Sequence, residues 1–237
     1  GYKVLDRNLG ALSNVKGNIE SWGLYYQWGR KDPFASSSSI VSNNPVQTQY
    51  FDIDNNPFTF PTAQKTGLGI DQYYTTSNPT TYIDASSATS GDWYFESNNG
   101  LWGNPLGYNK PDISTISKSV YDPCPEGFMV PPADIFINNG VVNGSSENMA
   151  LDVTNRGRTL SFQGLDEWYP AARHLKVDGT RNVNGDIGRY WMSNPFALNN
   201  IQGMSMSYGA GNNVFPQHNQ NRAFGFSVRC VKTVKGE

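Results

Sequence analysis

The pattern of apolar and polar positions predicts two helices in the front part of the chain. In Asn18–Gly29 apolar residues recur every three to four positions, as on one face of a helix, with Asn18 as N-cap and Gly29 as the end. Pro132–Gly140 is predicted as a second short helix, because proline is tolerated in a first turn and glycine often follows a last turn. Tyr2–Asp6 is predicted as a first strand.

The rear half is predicted to be rich in strands. The strand candidates are Arg158–Gln163, Trp168–Ala172, Arg189–Ser193, Met204–Tyr208 and Ala223–Val231. Turn pairs in Asn184-Gly-Asp186 and Gly211-Asn-Asn213 divide this part of the chain. By contrast, the stretch from Lys31 to about Ser90 has few aliphatic residues and five prolines, which predicts long surface loops with at most short strands. Such a segment is either functional or a disposable insertion.

The two cysteines occupy positions that predict a buried disulfide. Cys124 lies in Asp122–Pro131, where three prolines and a glycine restrict the backbone. In Ala223–Val231 apolar residues alternate up to and including Cys230, as on the buried face of a strand. We therefore expect Cys124 and Cys230 to meet in a core, which fits an exported protein; two separate buried thiols are the alternative.

Asp122-Pro-Cys-Pro-Glu-Gly-Phe-Met-Val-Pro131 also resembles the signature of the major paralogous domain family of Fibrobacter succinogenes. Four further blocks resemble that family in the same order, and they are Leu5–Ala11, Gly23–Arg30, Gly188–Ser193 and Phe226–Val231. The family is common in surface and fimbrillin-like proteins of Bacteroidetes, and its fold resembles that of C-type lectins. The resemblance implies an α+β fold of the C-type-lectin-like kind, with two short helices, twisted antiparallel strands and long loop insertions.

Length and composition favour one exported domain without a nucleic-acid or membrane partner. The 237 residues fit a single domain over 1–237, insertion-rich at about 31–120, which we expect to be the C-terminal part of a longer exported protein. The formal net charge is −2 and there is no basic run, so nucleic acid and anionic membrane are poor partners. No apolar run approaches the roughly 20 residues of a transmembrane helix.

The most promising binding segment is Gly91–Pro105, which combines aromatic, amide and acidic residues. The candidate ligand-binding residues are Asp92, Trp93, Tyr94, Phe95, Glu96, Asn98 and Asn99. The faces of sugars stack on aromatic rings, while amides and carboxylates bind their hydroxyls. The alternative is that the tryptophans fill a core; we favour that interpretation for Trp102 and leave both open for Tyr94 and Phe95.

No catalytic constellation is apparent in the sequence. His174 and His218 are the only histidines, they are far apart, and neither has a partner at zinc-ligand spacing, so we expect them to be solvated or in loops. The acidic pairs Asp92 with Glu96 and Asp166 with Glu167 are ordinary loop residues unless the fold brings them to about 5–10 Å across a sugar. The formylglycine-generating relatives use a reactive cysteine pair that has no counterpart here, so their activity is not transferred.

Calcium and structural arginines complete the list of candidates. Asp92, Glu96, Asn98 and Asn104 offer the oxygen ligands that Ca²⁺ takes, but the tripeptides familiar from calcium-dependent lectins do not occur, so we expect no cofactor and keep Ca²⁺ as the alternative.

The arginines of the family blocks are interpreted as structural ties to carboxylates such as Asp6 or Asp32; they are Arg7, Arg30, Arg189 and Arg229.

Together these observations predict a non-catalytic bacterial cell-surface binding domain, exported to the outer membrane or beyond. It would act as an adhesin or fimbrial tip component that recognises a glycan or a protein. One alternative is a structural or assembly subunit of a fimbria or lipoprotein complex, which would contact other fimbrial subunits. Another is a degenerate formylglycine-generating-enzyme-like or glycan-active enzyme. An exposed cluster from residues 91–105 and the 31–90 insertion would favour the binding domain.

Overall fold

The structure is a computed structural model of the 237-residue chain. It describes residues 3–35, 50–51, 56–58, 60–65, 70–106, 116–138, 144–145, 150–162, 165–182, 186–197, 201–209 and 213–232. Several predicted features lie outside these residues in whole or in part: the start of the first strand, the glycine end of the second helix, the two predicted turns and the serine-rich part of the polar middle.

The described chain consists mostly of β-strands with two short α-helices. The strands are β1 (Leu24–Gln27), β2 (Phe34–Ala35), β3 (Tyr50–Phe51), β4 (Pro57–Phe58), β5 (Thr62–Gln64), β6 (Tyr82–Asp84), β7 (Phe128–Met129), β8 (Gly144–Ser145), β9 (Gly157–Phe162), β10 (Leu165–Pro170), β11 (Gly188–Pro195), β12 (Gln202–Tyr208), β13 (Asn213–Asn221), β14 (Gly225–Ser227) and β15 (Val231–Lys232). The helices are α1 (Gln72–Ser77) and α2 (Ile135–Asn138), and a 3-10 turn spans Ile19–Ser21.

A seven-stranded sheet forms the centre of the fold, in the order β2-β1-β14-β11-β12-β13-β8. Neighbouring strands are antiparallel except β11 and β14, which are parallel where Tyr190 lies opposite Ser227. The remaining strands pair two by two, as β9 with β10, β7 with β15, β3 with β4 and β5 with β6. The strands that the sequence predicts in the rear half supply most of the central sheet and the β9–β10 hairpin.

Both faces of the central sheet are covered by apolar cores. Tyr190 and Trp191 are consecutive in β11, so their side chains point to opposite faces. Tyr190 belongs to a core with Met206 and residues of β9, β10 and α2. Trp191 belongs to a second core, which also contains Trp93, Trp102 and both cysteines. This second core connects the sheet with the loop that carries the candidate ligand-binding residues.

The predicted disulfide is confirmed. Cys124 and Cys230 are bonded to each other, with 5.8 Å between their Cα atoms and 106 positions between them in sequence. Cys230 is fully buried, as its alternating neighbours predict. The strand predicted over Ala223–Val231 is interrupted. Gly225–Ser227 pairs as β14, and pairing resumes only at Val231, where β15 begins.

The helix predicted over Asn18–Gly29 is wrong beyond its first turn. Asn18 does cap a turn, since its side chain accepts a hydrogen bond from the Glu20 backbone, but the turn ends and Gly23 adopts a φ of 71°. The chain then continues as β1, where Tyr25 packs into one core and Tyr26 into another. A strand that is buried on both faces carries no period of two, which is why its aromatic residues resembled a helical stripe.

Other local predictions are confirmed in part. The second helix forms, but as the shorter α2. In place of the predicted first strand there is a single bridge between Val4 and Val231. The helix α1 lies in a segment that was predicted to hold only loops and short strands; its N-cap Asp71 accepts a hydrogen bond from the Tyr74 backbone.

Three of the four candidate arginine ties are present. Arg7 pairs with Asp6 at 2.8 Å and Arg30 with Asp32 at 2.9 Å. Arg229 lies 3.8 Å from a carboxylate oxygen of Glu167. The fourth arginine of the family blocks, Arg189, forms no such ion pair with any described residue, so the predicted tie to a carboxylate is not found for it.

Candidate functional site

The segment Gly91–Pro105 is an irregular loop of bends and turns, as predicted. It divides the candidate residues into two sets. Asp92 and Trp93 are fully buried, whereas Phe95, Glu96 and Asn98 are exposed; Tyr94 and Asn99 are half-buried. The first set anchors the loop to the sheet, and the second set is the surface that a ligand can reach.

A buried ion pair anchors the start of the loop. Arg222, which follows β13, places Nη1 3.3 Å from Oδ2 of Asp92, and both side chains are fully buried. Burial raises the pKa of Asp92 and lowers the pKa of Arg222, and each charge opposes the shift of the other. The guanidinium also stacks on Trp28, with its carbon 4.2 Å from the ring centre.

The same arginine fixes the far side of the loop. Its Nη1 donates to the Asn98 carbonyl at 3.2 Å, and its Nη2 donates to the Asn99 side-chain oxygen. Asn98 in turn accepts from the Gly100 backbone at 2.8 Å. Asn98 and Asn99 are therefore held in place by groups on the protein, and the loop has one defined shape around Arg222.

The tryptophans of the loop are part of the core. Trp93 donates its indole N–H to the Trp28 carbonyl at 2.7 Å, and Trp102 donates to the Arg30 carbonyl at 3.3 Å. Both side chains are fully buried. The core interpretation that we favoured for Trp102 is confirmed, and Trp93 has the same role, so neither ring is available to a ligand in this conformation.

Tyr94 and Phe95 form the aromatic surface of the loop. Their ring centres are 5.6 Å apart and their planes are inclined by 30°. Phe95 is 45% exposed, although its backbone N–H is held by the Ile70 carbonyl at 3.0 Å. The backbone of Tyr94 is fixed by Asp92, which accepts from its N–H at 3.0 Å, and by Lys65, which donates to its carbonyl at 2.8 Å.

Polar groups surround this aromatic pair. Glu96 and Asn98 are exposed beside the rings, and the intervening Ser97 adopts a left-handed φ of 53°. A non-glycine residue in this conformation costs about 1 kcal/mol or more, and it persists where the surrounding contacts determine the backbone. The loop thus presents two aromatic rings, a carboxylate and an amide on a backbone that is ordered before a ligand arrives.

The composition of Gly91–Pro105 identifies the binding segment, but it does not identify Arg222, the residue that holds the loop in place. Arg222 lies 130 positions from Asp92, and no local pattern in Asn221-Arg-Ala223 links the two. The sequence also does not show which side chains of the loop point inward and which point outward, because an irregular loop has no regular spacing of apolar residues.

The other candidates for chemistry differ in their exposure and direction. Asp92 is buried whereas Glu96 is exposed, and Asn104 is buried with its amide 3.4 Å from Ser193. Asp166 and Glu167 are consecutive in β10 and so point to opposite faces. Within the described ranges, no group of three or more His, Cys, Asp or Glu side chains is placed to hold a metal ion.

His174 lies in a loop, which is one of the two states expected for the histidines, but it is buried rather than solvated. Its ring is 3% exposed and meets the edges of Phe224 and Phe226, at 5.6 and 5.5 Å between ring centres. Burial, helped by the charges of Arg189 and Lys176, lowers the pKa of His174 to about 3. His218 is half-buried on β13, where burial and Arg189 also lower its pKa.

Replacing His174 by phenylalanine is expected to make the free energy of unfolding depend less steeply on pH below about pH 6.5. Between about pH 6.5 and pH 3 the unfolded chain binds a proton at this position and the folded protein does not, so stability falls as the pH falls. The slope from this one group is about 1.4 kcal/mol per pH unit. Urea unfolding of both proteins at pH 6.5, 5.5 and 4.5 measures the difference. Parallel curves would show that His174 is protonated in the folded state.

Comparison of the chain with protein-family models, with curated proteins and with solved structures found no match. No helix in the part of the chain that the structure describes has the length and apolar character needed to cross a membrane. The fold and the loop therefore define a β-rich, disulfide-bonded domain with an ordered aromatic surface, and its function has to be inferred from that surface.

Proposed function

We propose that this protein is a non-catalytic, exported bacterial surface domain that binds a glycan through the loop at residues 91–105. The observation that carries the proposal is the pair Tyr94 and Phe95, displayed beside Glu96 and Asn98 on a loop that is fixed from below. In the cell it would serve as an adhesin or a fimbrial tip component, attached to the outer membrane or released from it.

The chemistry of the surface favours a sugar. The two rings offer an apolar platform for the C–H face of a sugar ring, and the neighbouring carboxylate and amide can bind its hydroxyl groups. Aromatic side chains supply contact area with few rotatable bonds, so ordering them on binding costs little. The contacts of Arg222, Lys65 and Ile70 with the loop reduce that cost further, because the backbone already has its bound shape.

The proposed fold is C-type-lectin-like, and the proposed family is the paralogous domain family whose sequence blocks the chain resembles. Three features support this assignment: the mostly antiparallel sheet, the two short helices, and a long irregular loop packed on one face of the sheet. The Cys124–Cys230 bond supports export, because disulfides persist in oxidising compartments.

A glycan-array screen tests the function, run once with Ca²⁺ and once with a chelator. We expect a saturable signal that Phe95→Ala reduces roughly 30-fold in affinity, since truncating an aromatic anchor in a binding site costs about 2 kcal/mol. Tyr94→Ala is expected to act in the same direction. Because no cofactor is proposed, the signal should survive the chelator.

The matched control is Leu12→Ala, which removes another large apolar side chain that is 79% exposed but lies in the N-terminal segment. It should bind like the wild type. Absence of any glycan signal, or equal loss in the Leu12 and Phe95 variants, would overturn the assignment to glycans. Binding that disappears with the chelator would overturn the metal-free mechanism and identify calcium as a component of the site.

A further inference from the structure

One arginine of the central sheet carries a charge that the described protein does not neutralise. Arg189 lies in β11 opposite Ser207 of β12, on the face that Trp191 also occupies. Within the part of the chain that the structure describes, its guanidinium makes no hydrogen bond, and Nε and Nη1 are buried without a partner. The residue remains partly exposed, so the guanidinium can still be approached from solvent through Nη2.

None of the acidic residues that the structure describes compensates the charge of Arg189. Among the described residues, the ion pairs are formed by Arg7, Arg30, Lys118, Arg156, Arg222 and Arg229, and Arg189 forms none. Its pKa is lowered by burial alone. An arginine that only tied two segments together would have a carboxylate or carbonyl partner, as Arg30 has in Asp32.

The neighbours of the guanidinium are instead neutral and polar, or aromatic. Its carbon lies 5.5 Å from the ring centre of Phe226. Ser207 shares a hydrogen bond of 2.6 Å with Nδ1 of His218, and Gln220 reaches the same ring at 3.1 Å. The buried His174 also contacts Phe226, with 5.5 Å between ring centres, and its Nδ1 has no hydrogen-bond partner among the described residues. Phe226, Arg189, Ser207 and the pair His218 and Gln220 lie on the neighbouring strands β14, β11, β12 and β13, and we name this group, together with the loop residue His174, the Arg189 patch.

Both histidines of the patch stay neutral at pH 7, because burial and Arg189 lower their pKa values. The patch therefore combines one positive charge with hydroxyl, imidazole and amide groups. A half-buried charge with unused donors is costly unless a ligand completes it. Nη2, the nitrogen of Arg189 that solvent can reach, can donate a charge-assisted hydrogen bond to an oxygen of a carboxylate or sulfate, and the half-buried His218 and Gln220 can bind hydroxyls.

We propose that the Arg189 patch binds the oxyanion of an acidic saccharide, as a carboxylate or a sulfate ester. That the anion belongs to a saccharide rests on the proposed function, whereas the anion site itself depends only on Arg189 and its neighbours. The site is separate in chemistry from the Tyr94–Phe95 surface: the patch recognises charge, and the aromatic pair recognises the apolar face of a sugar.

The two histidines allow a direct test, since the chain contains no others. Their imidazole signals are followed by NMR while sodium glucuronate, glucose 6-sulfate, glucose or inorganic sulfate is added. We expect saturable shifts at His218 with at least one of the two acidic sugars and none with glucose. A bound anion offsets the charge of Arg189, so the pKa of His218 should rise in the complex.

Arg189→Gln should weaken this binding roughly 10- to 100-fold, the range for losing charge-assisted hydrogen bonds. The matched control is Arg7→Gln, since Arg7 already has a carboxylate partner; it should bind like the wild type. Arg189→Gln should also not lower the melting temperature, because it removes an uncompensated charge. A marked drop in melting temperature would assign Arg189 a structural role and overturn the proposal.

The remaining outcomes are equally decisive. Equal affinity for inorganic sulfate and the acidic sugars would overturn the saccharide as carrier, and no shift with any anion would overturn the site. If only the glycan proposal fails, the glycan array gives no signal while the imidazole signals of His218 still respond to anions.

Discussion

Replacing Cys124 and Cys230 together by alanine is expected to lower the free energy of unfolding by about 4–5 kcal/mol. The bond closes a loop of 106 positions, and the chain-entropy model gives a stabilisation of that size for about 100 residues. Both cysteines lie in the core that contains Trp93 and Trp102, so the variant should also loosen the packing beneath the 91–105 loop. Urea unfolding, followed by tryptophan fluorescence, measures the loss.

The reduced wild-type protein is the control for this experiment. It has the same side-chain sulfur atoms but lacks the cross-link, so it should unfold at a urea concentration close to that of the double variant. A larger loss in the alanine variant would measure the cavity that the removed sulfur atoms leave. A loss below about 1 kcal/mol in both proteins would show that the unfolded chain is already constrained.

The features of the fold that could be predicted from sequence are those encoded in local pattern. The sequence predicts short strands over parts of β9 to β12, and the structure has strands at each of them. The disulfide could be predicted because each cysteine sits in a backbone context that indicates burial. The helix over Asn18–Gly29 failed because β1 is covered on both faces, and that covering depends on segments far away in sequence.

The candidate site shows the same division. The composition of Gly91–Pro105 identified the loop, yet the outward direction of Phe95 and the inward direction of Trp93 follow from contacts with Ile70 and Trp28. Arg189 was interpreted as a tie to a carboxylate, like Arg7 and Arg30. Only the arrangement of strands shows that its neighbours are Ser207 and two histidines. The register between two distant strands cannot be predicted from the sequence of either strand alone.

Arg222→Met is expected to lower the free energy of unfolding by about 3–5 kcal/mol. The substitution leaves the carboxylate of Asp92 fully buried without its partner, and breaking one side of a buried ion pair costs that amount. It also removes the donors for the Asn98 carbonyl and the Asn99 side chain, so the loop loses its central support. Guanidinium chloride unfolding measures the stability, and hydrogen exchange of the loop amides measures the local effect.

A double-mutant cycle separates the ion pair from the packing of the arginine on Trp28. Asp92→Asn and Arg222→Met should each destabilise strongly, and the double variant should be less destabilised than the sum of the two, because it leaves no unpaired charge. The matched control is Arg7→Met, whose exposed pair with Asp6 should contribute almost nothing. If the two losses simply add, the pair is not coupled and Arg222 supports the loop through its ring contact and its hydrogen bonds to Asn98 and Asn99 alone. If they couple as expected, one buried charge pair, formed across 130 positions of sequence, holds the loop that carries Tyr94 and Phe95 in its observed shape.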